Sequence, residues 1–384
     1  MQKLFFLSKG ELYKYSDGKV SKLESEAVKK YEETLKDMKK RKVWKDKTSD
    51  MHILNMMYGL EKKEEVLIKD IKVLSNDKLL YSVNFEKTTG IYSRNTDVSD
   101  KTEDLIIRNN NFLLYEIDVS EKSQKIVASF TDDYSESHIL LLDSKTAEYH
   151  ILTEGGSLDR NPVFDKNDDS IIYYDCSNIG YNSDGNPVAV SNRYITRLDI
   201  STAELEDIVS NSKFDYFKPQ FDNKGNFYCI KRPYAPSGSN KKMTFLDVLL
   251  IPFKFFKAIF NFLDFFTARY TGERLNTAGK NPAKMQEKTD KEIFIEGNLI
   301  DVHETLSKNK GLKEKYPGVI PKSWVLIKYD LNNNEETVLK KGVLGYVISD
   351  DGTIFYSNGK YIIKSDEAND EAVHEIDFAE GLSV

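Results

Sequence analysis

Short apolar runs separated by polar turns dominate this chain, and they recur. Each unit reads as a strand, a turn carrying Asp, Asn or Gly, a second apolar strand, then a third and often a fourth. One copy begins at Ile71 (IKVLS, NDK, LLYSV) and the next at Tyr115 (YEIDVS, EKSQ, KIVASF, SHILLLDSKTAEYHILTE). Others begin at Asn161 (NPVFD, KNDDS, IIYYD), Lys218 (KPQFD, NKG, NFYCIK) and Gly345 (GYVIS, DDG, TIFYS). Runs of this length, rich in Val, Ile, Tyr and Phe and bounded by turn formers, predict strands and hairpins. Third strands end in Leu-Asp or Tyr-Asp, at Leu142-Asp143, Leu198-Asp199 and Tyr329-Asp330. Four-stranded units at a spacing of roughly 45 residues predict an all-β fold, a β-propeller. A β-sandwich or two smaller β domains would be the competing arrangement, and the regular spacing favours the propeller.

Counting blades predicts how the ring closes. Five copies lie between Ile71 and Ser365, and KLFFLSKGELYKYSDGKVSKL near the start supplies a second, third and fourth strand with no first. The segment HEIDFAEGLSV can provide the missing strand. A blade shared by both termini closes a six-bladed ring over residues 1–384 and removes an exposed sheet edge.

NPVFDKNDDSIIYY and KPQFDNKGNFYCI resemble the repeat of TolB-type (WD40-like) propellers, Pro-x-Trp/Phe-Ser-x-Asp-Gly followed by an apolar strand. The Leu-Asp ending of the third strand matches as well. The resemblance spans most of residues 66–232 and 323–384, with Asp165 and Asp222 where the repeat has Ser. It implies a six-bladed propeller. The partners of that family are not implied, because the repeats here are degenerate.

Two stretches break the repeat. Within residues 25–65, SEAVKKYEETLKDMKKRK reads as a helix, with Val28, Tyr31, Leu35 and Met38 on one side. Ser21 or Ser25 suits its start, and Lys39 to Lys42 suit its negative end. The second break, residues 233–322, falls between the second and third strands of one blade. Fourth-to-first and second-to-third connections leave a propeller on one face, so both insertions are expected on the same side of the disc.

Inside the second insertion lies FLDVLLIPFKFFKAIFNFLDFF, residues 245–266. Sixteen of its 22 positions are apolar and eight of those are Phe. Asp247, Lys254, Lys257, Asn261 and Asp264 fall within a sector of roughly 100° on a helical wheel. The membrane- or partner-binding candidates are therefore Phe245, Leu249, Phe253, Phe255, Phe256, Phe260, Phe262 and Phe266, with Lys254 and Lys257 on the polar stripe. Three readings stay open: a helix lying in the membrane interface, a helix packed on this protein or on a partner, and a membrane span. Lys241, Lys242, Arg269 and Arg274 flank the segment and suit anionic headgroups. Four charges, each costing roughly 2.5–3.5 kcal/mol at the bilayer centre, weigh against the span.

Composition narrows the partners. A net charge of −7 argues against general nucleic-acid binding. The apolar and charged fractions, 40% and 30%, suit a globular chain. Cys176 and Cys229 lack partners at metal-ligand spacing and read as small buried hydrophobes. Leu4 to Leu7 is far too short for a secretory h-region, so the cytoplasm is the expected compartment.

Chemistry is sparse. There is no Gly-rich phosphate loop and no Gly-x-Ser-x-Gly elbow. His52, His138, His150, His303 and His374 lie far apart. Asp165–Ser170 lacks the central Gly and distal Glu of a calcium loop and reads as a polar turn, as does Asp350-Asp351-Gly352. No catalytic residue, cofactor or metal site is expected. The pattern points to a non-enzymatic scaffold for a protein partner or for self-association, held at an anionic membrane surface if residues 245–266 meet lipid. The alternative is a lyase or hydrolase whose site gathers at the channel mouth.

Overall fold

The computed structural model describes residues 3–46, 66–132, 136–234, 292–366 and 369–384. Its strands form six four-stranded antiparallel sheets. Blade 1 has the order β28-β1-β2-β3: β1 (Leu4–Ser8), β2 (Glu11–Ser16) and β3 (Lys19–Leu23) from one end of the chain, β28 (Ala379–Ser383) from the other. Blade 2 is β4 (Val66–Val73), β5 (Lys78–Phe85), β6 (Thr88–Asn95) and β7 (Glu103–Asn109). Blade 3 is β8 (Leu113–Ser120), β9 (Lys125–Thr131), β10 (His138–Asp143) and β11 (Tyr149–Ile151).

Blade 4 is β12 (Arg160–Phe164), β13 (Ile171–Cys176), β16 (Tyr194–Asp199) and β17 (Glu204–Val209). A hairpin the sequence pattern did not single out, β14 (Ile179–Tyr181) with β15 (Pro187–Val190), is inserted between its second and third strands. Blade 5 is β18 (Phe214–Phe221), β19 (Phe227–Pro233), β22 (Val325–Asp330) and β23 (Glu335–Lys341). A second inserted hairpin, β20 (Glu292–Ile295) with β21 (Asn298–Asp301), sits at the same place in this blade and leads into helix α2 (Val302–Gly311). Blade 6 is β24 (Gly345–Ile348), β25 (Ile354–Ser357), β26 (Tyr361–Ser365) and β27 (Asp370–Glu375).

First strands touch in cyclic order, β4, β8, β12, β18, β24, β28 and back to β4, so the sheets are radial and the ring is closed. The closing blade is the composite one foreseen from the two terminal segments. The ring explains why second strands read as unbroken apolar runs. Phe5 and Leu7 of β1 enter the cluster shared with blade 2, while Leu4 and Phe6 enter the cluster shared with blade 6. Ile126, Ala128 and Phe130 of β9 likewise face blade 2, and Val127 faces blade 4. With period-2 side chains and a neighbour on each side, both faces are core. Each fully buried Phe or Leu contributes about 1.5–3 kcal/mol.

The expected first helix is α1 (Glu26–Asp46), capped by Ser25, whose hydroxyl accepts from the Val28 amide at 3.2 Å. Ala27, Val28 and Tyr31 pack on the seam of blades 1 and 2, with the Tyr31 ring 5.0 Å from Phe85. Met38 is half exposed, so the predicted apolar stripe docks only through its first turns. Residues 245–266, and with them every candidate contact residue named above, lie outside the described residues.

Candidate functional site

The innermost strands carry one repeated irregularity. Pairing between first and second strands slips at Ile68/Asp70, Leu114/Ile117, Arg160/Val163 and Phe217/Gln220, and on β28 opposite Phe5/Leu7. A β-bulge adds a residue and re-aims its side chain. Here it brings Lys69, Glu116, Asn161 and Lys218 to the wall of the central channel, together with Gly381 and Leu382 of β28. The two prolines of the repeat, Pro162 and Pro219, occupy bulge positions, where no ladder hydrogen bond is lost. The residues before them, Asn161 and Lys218, take positive φ of 48° and 55°.

Side chains of second strands satisfy the backbone freed by the bulges. The Asp70 amide donates to Ser82 Oγ at 3.1 Å and the Glu116 amide to Ser129 Oγ at 3.1 Å. In blade 4 the equivalent residue is Asp175, whose Oδ2 accepts from Asn161 Nδ2 at 2.6 Å and from the Lys218 amide at 3.0 Å. Carboxylates also tie blade to blade: Asp70 Oδ2 accepts the Ile117 amide at 2.9 Å and Asp118 Oδ2 the Phe164 amide at 2.9 Å. Lys72 Nζ lies 3.3 Å from Asp118 Oδ1.

The remaining space in the channel is about 100 Å³. Its wall is densely charged, and burial shifts the groups. Burial pushes the Asp70 carboxyl up to about 6 against the opposing pull of Lys72 and two backbone amides. Glu380 is raised for the same reason, with Lys218 opposing. Asp175 is raised by burial against the pull of Arg193. Burial weakens the Lys218 ammonium, but Glu296 and Glu380 more than offset it and its pKa is raised.

Glu296 comes from outside the ring proper. It is the tip of the β20–β21 hairpin, with Gly297, and its carboxylate reaches the channel wall. Oε1 lies 3.0 Å from Lys218 Nζ and Oε2 accepts from Arg193 Nη1 at 3.0 Å. The Glu296 carbonyl accepts from Arg232 Nη2 at 2.6 Å. Arg232 in turn donates through Nε to Asp215 Oδ2 at 2.8 Å, and Asp215 Oδ1 accepts the Arg193 amide at 2.9 Å. Both guanidinium groups stack near Phe217, at 5.2 and 4.8 Å, and Arg232 lies 4.5 Å from the Trp324 ring. Below the tip, Ile295 and Ile300 are buried with Phe217 and Trp324. One channel mouth is thus occupied by a segment of the second insertion, fastened by ion pairs and apolar contact.

Elsewhere the two acidic runs read as turns fold as turns. Asp165 Oδ1 accepts the amides of Asn167 and Asp168, and Asp351 Oδ1 accepts that of Thr353, so both acidic runs are turns. His138 lies 3.6 Å from Glu136 and 3.9 Å from Asp159. Among the described residues no group of three or more His, Cys, Asp or Glu side chains is placed to hold a metal. The channel residues were not singled out in the sequence, because bulges are invisible in a two-residue period. The signal available was the pair Asn161-Pro162 and Lys218-Pro219, two prolines inside runs otherwise read as inner strands.

No family model matches the chain and no curated protein matches it. Solved structures do. A chain of the nidogen/laminin complex superposes with a TM-score of 0.50 at 9% identity, over 99% of this chain and 97% of that one. TolB from Acinetobacter baumannii gives a TM-score of 0.49 at 9% identity, over 99% of this chain. This chain spans 66% of that TolB chain's length. The tricorn protease gives 0.39 at 14% identity, over 97% of this chain and 38% of that one. Likeness at this identity concerns fold alone. The fold implied by the repeat, a six-bladed propeller, is the fold observed.

Proposed function

We propose that this chain is a non-enzymatic binding scaffold, in which the ring is a rigid platform and the insertions 25–65 and 233–322 form the contact surface for a protein partner. The observation that carries the reading is the occupied channel mouth. With Glu296 in place, about 100 Å³ remains, below the roughly 300 Å³ at which small-molecule sites begin. Recognition then falls to the insertions rather than the channel. The nidogen/laminin chain, similar in fold, belongs to a complex of two proteins, which fits a propeller used for protein contact.

In this reading residues 245–266 form the amphipathic helix expected from their sequence and hold the scaffold at the cytoplasmic face of an anionic membrane. The test is sedimentation of the purified chain with phosphatidylglycerol-containing vesicles, beside a variant lacking residues 243–270. The expected result is co-sedimentation of the intact chain only, weakened by salt. An intact chain that stays in the supernatant overturns the membrane assignment and leaves a protein partner as the occupant.

A second reading, an enzyme working at the channel mouth, is favoured by one observation: the upward-shifted carboxyls of Asp70 and Glu380 line the same cavity. It requires the hairpin to leave the mouth before a substrate enters.

A further inference from the structure

Around the hairpin tip Glu296 is the carboxylate in direct contact with two cations, Arg193 and Lys218, while Glu380 faces Lys218 from the channel wall. Arg193, Lys218 and Arg232 are opposed by Asp175, Asp215 and Glu296, and all lie within one connected set of contacts. Arg193, Arg232, Asp175 and Asp215 side chains are each less than a tenth exposed. Removing the Glu296 carboxylate would take from Arg193 and Lys218 the anion 3.0 Å from each in a poorly solvated place, which is costly unless another anion takes its position.

Two further observations bear on what that position is. Glu296 has φ of 46° and Gly297 of 86°, the backbone of a tight two-residue hairpin turn in which Asn or Gly is favoured at the first position. A Glu there sits in a backbone conformation that Gly adopts at less cost. And Arg232 Nη1, buried, has no hydrogen-bond partner among the described residues, although Nε and Nη2 of the same guanidinium are both engaged. The guanidinium that holds the Glu296 backbone thus keeps one unused donor.

We propose that Arg193, Lys218 and Arg232 form a carboxylate-binding site at the channel mouth, whose resident ligand is Glu296 and which accepts an exogenous carboxylate when Glu296 is absent or withdrawn. The geometry is a two-point grip, one carboxylate oxygen on a guanidinium and the other on an ammonium, each at 3.0 Å. The tethered Glu296 acts at an effective concentration in the mM range, so a free carboxylate competes poorly until the tether is lost.

Glu296→Gly tests this cleanly, because Gly relieves the positive-φ turn while deleting the carboxylate. Melting temperature is followed for wild type, Glu296→Gly and Glu296→Gly/Lys218→Met during titration with sodium formate, against sodium chloride at matched ionic strength. The single variant is expected to gain about 2 °C or more, saturably, from formate over chloride. Wild type, whose site is filled, and the double variant, which lacks the Lys218 ammonium, are expected to respond equally to both salts. An equal response of Glu296→Gly to the two salts overturns the proposal, as does a formate-specific gain of the same size in all three proteins. If Glu296→Gly does not fold in chloride, refolding yield becomes the readout: recovery in formate alone supports the site, and failure in both salts overturns it.

Discussion

Phe5 lies opposite Ser383 in one antiparallel pair, so the two ends of the chain share a blade. Leu382 and Ala379 of the same strand are buried against blade 6, and Ser383 Oγ accepts the Val73 amide of blade 2 at 2.9 Å. Strand β28 therefore joins three blades at once.

Removing residues 379–384 should open the ring. The exposed β1 edge and the uncovered Phe5 and Phe6 would cost several kcal/mol at roughly 1.5–3 kcal/mol per large side chain. A fall in melting temperature on the order of 10 °C, or loss of soluble protein, is expected by scanning calorimetry. A shortened chain that melts with wild type would show that β28 does not close the ring.

Asp215 and Arg232 make a buried pair that is fragile to one-sided change. Asp215→Leu should destabilise by about 3–5 kcal/mol, because the Arg232 charge is left without its nearest counterion. Asp215→Leu/Arg232→Met should cost clearly less than the two single changes summed. Denaturant midpoints of the four proteins form the cycle that checks it.

The Asp70 carboxyl sets a pH dependence. Its pKa is about 6 in the folded protein and 3.8 without burial, so the folded state holds this proton more tightly. The associated stability is present below 3.8 and lost as pH rises through about 6. Asp70→Asn lacks that loss. From pH 5 to pH 7.5 wild type should thus lose stability relative to Asp70→Asn, read from denaturant midpoints. A gap constant over that interval would contradict the shifted carboxyl.

Both thiols should be inert. Cys176 and Cys229 are buried, and burial is the main cause raising each thiol well above the ordinary range. A thiol reagent at pH 8 should label neither cysteine in the native protein and both in denaturant. Fast labelling of either would place it at an accessible site.

The six blades were legible because their second strands are buried on both faces and bounded by turn formers, as in LLYSVNF and KIVASF. The shared blade was legible because LFFLS lacks an inner neighbour in sequence. The channel was not. Lys69, Glu116 and Lys218 reach it through bulges that shift the strand period by one residue, and Glu296 reaches it from an insertion whose tip has no repeat to mark it. Both devices are tertiary: their meaning depends on six strands meeting at an axis. Met38 errs in the other direction, an apolar residue on the expected stripe that the ring leaves half exposed.

The central claim is a self-sufficient ring that carries its working surface on the insertions. Thermal unfolding of the chain without residues 243–270, beside the intact chain, tests it most directly. Melting temperatures within about 2 °C are predicted, because on this account the ring takes its stability from the clusters packed between blades. A variant already unfolded at 25 °C would make the Phe-rich segment part of the core and contradict the account.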